Sequence, residues 1–230
     1  MNKTYGADVR ADNFYMTCGA AASLVISLKA IVEDASDEVI LVAPFFPEYT
    51  VFVQNAGAKS VILPPDTEHF QISLDAMEQA ITPKTRAVII NSPNNPSGVV
   101  YSAETFEKLP LSLNENRRKS AIRFTSFPMN RIVKSLRRLP ILYVPKFYRD
   151  TIICYSYSKS LSLPGERIGY ILVPDCVTAA KEVYTAVCGA GRFMGFVCAP
   201  HLFQDVILKC MGQTSDVDVY DQTGSYYIMV

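Results

Sequence analysis

The sequence has no excess of charge of either sign. Its 230 residues carry 22 Lys plus Arg against 22 Asp plus Glu, so no basic face is implied for nucleic acid or for an anionic membrane surface. No apolar run approaches the roughly 20 residues that span a bilayer, and no secretory leader is legible at the start. Histidine is scarce: His69 and His201 lie far apart, which leaves no zinc-ligand spacing. The six cysteines, Cys18, Cys154, Cys176, Cys188, Cys198 and Cys210, include no Cys-x-x-Cys pair. They are expected to be small buried hydrophobes in a reducing cytoplasm. Internal repeats and low-complexity linkers are also missing. Neither a metal, a nucleic acid nor a membrane is expected as a partner.

What is present is apolar sequence in alternating patterns. Hydrophobic residues make up 49% of the chain, enough for one large domain with its own core or for two small ones. Glu38–Ala43, Lys59–Leu63, Arg86–Asn91 and Thr151–Tyr155 are short and rich in β-branched residues, and are expected as strands. Ala20–Glu33, Leu74–Ile81, Ala103–Leu109 and Thr178–Cys188 carry helical spacing. The alternation predicts an α/β fold, a three-layer sandwich whose mostly parallel sheet is covered by helices on both faces. Ligands of such sheets gather at the carboxyl ends of strands. One stretch breaks the pattern. From Pro110 to about Pro140 the chain contains L-S-L-N-E-N-R-R-K-S and R-I-V-K-S-L-R-R, rich in Arg and Lys and without a period. Taken as written, it is expected to be a solvated basic helix or loop.

The most informative segment is S-Y-S-K-S-L-S-L-P-G-E-R-I-G-Y, Ser156 to Tyr170, directly after an apolar strand. A lysine at a strand end beside an apolar core is the kind whose pKa can fall enough to form a Schiff base, and that lysine is Lys159. Ser156, Ser158 and Arg167 supply hydroxyls and a guanidinium suited to a phosphate monoester. Three other segments precede it. T-C-G-A-A-A-S-L, Thr17 to Leu24, is a glycine turn opening a helix, whose free amides and positive dipole end suit an anion. A-P-F-F-P-E-Y, Ala43 to Tyr49, follows a strand, and Phe46 within it reads otherwise as an ordinary core aromatic. N-S-P-N-N-P-S-G, Asn91 to Gly98, follows R-A-V-I-I-N, and as plain turn chemistry needs no function.

Taken in order, these four segments resemble fold type I pyridoxal-phosphate aminotransferases of class I/II, the aspartate aminotransferase type, over roughly Tyr15 to Gln204. The resemblance implies the large cofactor domain of that fold. It implies pyridoxal 5′-phosphate bonded to Lys159 as the catalytic residue. Its phosphate would be held by Arg167, Ser156, Ser158 and a cup of Cys18, Gly19 and Ala20; Phe46 would stack on the ring, and Asn95 would bond the phenolic oxygen. It further implies amino-acid and 2-oxo-acid substrates, amino-group transfer between them, and a homodimer. Lyases, decarboxylases and synthases share the scaffold, and a non-catalytic remnant is the reading from outside the enzymes.

The family also places an Asp beneath the pyridine nitrogen, commonly as D-E-P-Y at a strand end, to keep that nitrogen protonated. No such residue stands between Asn95 and Lys159; Asp150 is too close to the lysine. The aperiodic stretch occupies its place. Beginning each codon one base earlier across R-F-T-S-F-P-M-N-R-I-V-K-S, Arg123 to Ser135, synonymous codons permit Ile-Tyr-Ile-Ile-Ser-Asp-Glu-Pro-Tyr-Arg-Glu-Ile, with the Asp drawn from the codon of Met129. Two compensating frameshifts around 110–140 are therefore expected. The tail after Gln222 has a similar alternative, so the cofactor domain is expected over 1–222 and 223–230 as out-of-frame sequence. By the same resemblance the chain is expected to be truncated at both ends, without the part that holds the substrate carboxylate, and inactive as written.

Overall fold

The computed structural model of the chain describes residues 6–115, 123–128, 143–161 and 163–211. The β-branched runs form strands because a pleated, half-buried surface suits side chains branched at Cβ. The strands are β1 (Phe14–Thr17), β2 (Glu38–Val42), β3 (Lys59–Leu63), β4 (Thr85–Ser92), β5 (Arg123–Pro128), β6 (Thr151–Ser156) and β7 (Gly169–Leu172). They make one sheet in the order β1-β7-β6-β5-β4-β2-β3. The pairs β2–β3, β2–β4, β4–β5 and β5–β6 are parallel, while β7 runs antiparallel to both β6 and β1. The mostly parallel sheet is thus as expected, with one reversed strand.

The helices are α1 (Ala20–Ile31), α2 (Glu48–Ala56), α3 (Leu74–Ala80), α4 (Ala103–Glu115), α5 (Tyr157–Ser160), α6 (Ala180–Phe193) and α7 (His201–Met211). The period of two along each strand separates two cores. Ala87 and Ile89 of β4, with Val39, Leu41, Ile152, Cys154 and Ile171, pack against α1, α2 and α6. Val88 and Ile90, with Ile40, Val42 and Leu63, pack against Met77 of α3 and Phe106 and Leu109 of α4. Helices therefore cover both faces, as the α/β pattern predicts. At the amino ends of the strands Arg86 bonds both carboxylate oxygens of Glu33, at 3.0 and 3.1 Å, and Asp37 at 3.1 Å, tying β4 to the end of α1.

Two expectations are corrected. The stretch read as a solvated basic helix or loop contributes the end of α4 and, at Arg123–Pro128, a strand in the middle of the sheet. Backbone pairing with β4 and β6 on either side accounts for a strand that its own side-chain pattern does not announce. The cysteines are not uniformly buried: Cys154 is, Cys18 and Cys188 are half-buried, and Cys176 and Cys198 are exposed. The exposed pair lie in the loops that follow β7 and α6, which run over the surface. All five are unpaired thiols. The side chain of Cys210 and the tail 223–230 lie outside the described residues.

Candidate active site

The four motifs follow the carboxyl ends of β1, β2, β4 and β6, four strands that run the same way. Gly19 caps α1 with φ +89 and ψ 177, backbone that residues with a Cβ avoid. It has no side chain to bond the first-turn amides, so those of Ala20, Ala21 and Ala22 are left pointing out of the helix end. The turn is pinned from below by buried hydroxyls. Thr17 and Ser23 bond each other at 2.7 Å, and Ser23 donates to the carbonyls of Gly19 and Tyr170, both at 3.2 Å. Beside it, β7 comes close: a Cβ on Gly169 would run into the Tyr155 carbonyl and the Gly19 backbone. Cys18 is half-buried, its sulfur 3.8 Å from the Cys198 carbonyl, and Ala20 opens the helix.

Arg167 lies over this turn. Its guanidinium passes 2.6 Å from where a Gly19 Cβ would be, so a side chain there would push it aside. Its backbone is left-handed, φ +50, a strained state for a non-glycine residue. The side chain is held by bonds to the Pro164 carbonyl at 2.6 Å and the Ser158 hydroxyl at 3.4 Å. Ser156 caps α5: its Oγ accepts from the Ser158 amide at 3.1 Å and lies 2.7 Å from the Ser158 hydroxyl. Guanidinium, two hydroxyls and an uncapped helix end thus share one corner, a donor set for an anion with several oxygens. Lys159 is next along α5. It is exposed rather than lodged against the core, because α5 carries the chain out past the end of β6.

Phe46 is half-buried between β2 and α2 and meets Tyr49 edge-on, ring centroids 5.8 Å apart. Tyr49 is buried, and burial pushes its hydroxyl above the ordinary tyrosine range. After β4, the turn chemistry falls to Asn94. Its Oδ1 accepts from the Ser97 amide and hydroxyl, and its Nδ2 donates to Tyr101. The neighbouring Asn95 is half-buried. Asn91, which no motif role singles out, is 5% exposed, and its Oδ1 has no hydrogen-bond partner among the described residues. The available signal was a polar residue closing the apolar run R-A-V-I-I-N. β5 ends at Pro128; Met129, Asn130 and Arg131, where a carboxylate is missing, lie outside the described residues. No group of three or more His, Cys, Asp or Glu among the described residues could hold a metal, and no described helix is long and apolar enough to cross a membrane.

Comparison with known proteins bears on the family and the fold. The family model for aminotransferase class I and II matches residues 1–118 and 141–220. A probable aspartate aminotransferase of Methanocaldococcus jannaschii is 33% identical over 196 residues, 85% of this chain and 50% of that protein. The aspartate aminotransferase of Geobacillus stearothermophilus is 33% identical over 73% of this chain and 43% of its own length. Among solved structures, an amino transferase of Eubacterium rectale superposes with a TM-score of 0.88 at 55% identity, covering 92% of this chain and 53% of that one. The chain spans about half the length of the curated relatives it matches. The match and the superposition place the chain in the aminotransferase class I and II family, with the aspartate aminotransferase fold.

Proposed function

We propose that this chain carries the cofactor site of an enzyme that moves an amino group between an amino acid and a 2-oxo acid, with pyridoxal 5′-phosphate bonded to Lys159. The observation that supports it most is the corner where Arg167 lies against the Gly19 turn, with Ser158 bonded to the same guanidinium and Lys159 adjacent. Its donors fit the phosphate: Arg167, the hydroxyls of Ser156 and Ser158, and the first amides of α1 beyond Cys18 and Gly19. Phe46 offers an aromatic face for the ring, and Asn95 a donor for the phenolic oxygen. When bound, the cofactor supplies an electron sink for the substrate's α-carbon. Lys159 holds the cofactor and, once released, its amine moves the proton at that α-carbon. A homodimer in the cytoplasm accompanies this reading on family resemblance.

Arg167→Ala tests it. The substitution removes a charge-assisted contact to phosphate alone, so affinity for pyridoxal 5′-phosphate should fall at least about tenfold while that for pyridoxal stays within about twofold. Equal losses for both would show that Arg167 does not face the phosphate. The 110–140 stretch favours a second reading, in which the chain as written binds cofactor but does not turn over. Without a carboxylate under the pyridine nitrogen the electron sink is weak. Negligible transamination is expected, and robust turnover in a coupled assay would contradict both that role and the frameshift account.

A further inference from the structure

Buried polar atoms in folded proteins are almost always paired, and an orphan marks a strained or ligand-facing place. Two side-chain atoms among the described residues are buried without a partner, Ser60 Oγ and Asn91 Oδ1. Ser60 lies on β3, at the far edge of the sheet. Asn91 lies near the carboxyl end of β4, flanked by β2 and β5. Two residues below it Ile89 faces α1 and α2, so alternation turns Asn91 to that same face. Ile89 is level with Leu41 of β2. Two residues on, Asn91 is level with Ala43, where the chain turns into the loop carrying Phe46. On its other side Asn91 pairs with Phe127, one residue short of the end of β5.

The connectivity of the cofactor says which atom comes here. In pyridoxal phosphate the ring nitrogen is para to the carbon that the lysine holds, and the phosphate arm and the phenolic oxygen flank that carbon. Were that carbon held at Lys159 after β6 and the phosphate at Gly19 and Arg167, the nitrogen would lie on the side of the ring away from the lysine, toward the ends of β4 and β5. We propose that Asn91 is a further cofactor-binding residue, its side-chain carbonyl accepting the proton of the pyridine nitrogen. A neutral amide gives that proton a partner without the charge of a carboxylate, so it orients the ring more than it strengthens the electron sink. The inference rests on the cofactor reading above.

The test compares pyridoxal 5′-phosphate with 1-deazapyridoxal 5′-phosphate, in which C–H replaces the ring nitrogen, by equilibrium binding to the full chain. The unaltered chain should prefer the natural cofactor by about tenfold or more, the effect of one hydrogen bond to a charged group. Asn91→Leu, close in shape, should reduce the preference to within about twofold, and Asn91→Asp should retain it. Because Asn91→Leu removes a buried orphan, it should also leave the midpoint of thermal unfolding unchanged or raised without cofactor, the reverse of a structural role. If that variant does not fold, Asn91→Ala takes its place. Equal binding of the two compounds to the unaltered chain, or an unchanged preference in the variant, overturns the role of Asn91 alone. Binding of neither compound overturns the cofactor reading and this inference with it.

Discussion

At Gly19 the backbone stands at φ +89 and ψ 177, and Arg167 occupies the space of a Cβ. Gly19→Ala should therefore act twice. Strained backbone costs about 1–3 kcal/mol, read as a lower midpoint in urea unfolding, and displacement of Arg167 should weaken pyridoxal phosphate in the same samples. Unchanged stability and affinity would mean that the turn relaxes freely. The thiols make a separate prediction. Burial pushes the Cys154 thiol up to about 12, so in the folded chain it should resist alkylation at pH 8 while the exposed Cys198 reacts. The same shift fixes a pH dependence. The folded pKa lies above the ordinary value of 9.0, so the contribution of this group is intact below pH 9 and is lost as pH rises toward 12. Alkylation of Cys154 at the rate of Cys198 in native protein would contradict its burial.

Among the elements, β5 is the one whose sequence and position disagree. A central strand in a parallel region is covered on both faces and usually reads as a nearly continuous apolar run. Here it is R-F-T-S-F-P. The family match also omits 119–140, which brackets it. We propose on these grounds that 110–140 was read in a shifted frame. Replacing residues 124–135 by Ile-Tyr-Ile-Ile-Ser-Asp-Glu-Pro-Tyr-Arg-Glu-Ile should raise the urea midpoint and tighten cofactor binding, and the encoding DNA should permit that frame. Codons incompatible with it would end the proposal. Elements with strong local patterns were legible: β2, β3, β4 and β6 fall within a residue or two of the runs that announce them. The four-residue β1 and β7 were not, since F-Y-M-T and G-Y-I-L are too short for a period to show. Nor was α2, which begins inside the Phe46 motif. The antiparallel direction of β7 was equally hidden, because alternation encodes which face is buried and not which way a neighbour runs.

For the whole molecule, the α/β class was legible in the sequence, and so was the corner where two of the motifs meet. Lys159, Arg167, Ser156, Ser158 and Gly19 lie in short motifs whose spacing carries the chemistry, whereas Asn91 acquires its meaning only from register with β2 and β5. The exposure of Lys159 is equally a tertiary matter, since α5 carries it past the end of β6. The chain covers about half of its relatives, and full turnover is proposed to need more than these residues. A half-reaction with pyridoxamine phosphate and a 2-oxo acid would distinguish amino transfer from lyase or decarboxylase chemistry on this scaffold. The central claim, that Lys159 holds pyridoxal phosphate beside the Gly19–Arg167 corner, is met most directly by covalent trapping. The folded chain would be incubated with pyridoxal 5′-phosphate, reduced with borohydride and mapped by peptide mass spectrometry. The account predicts a single label, on Lys159, that Lys159→Ala abolishes without unfolding the protein. A label spread over other lysines, or none in a chain that circular dichroism shows to be folded, would contradict it.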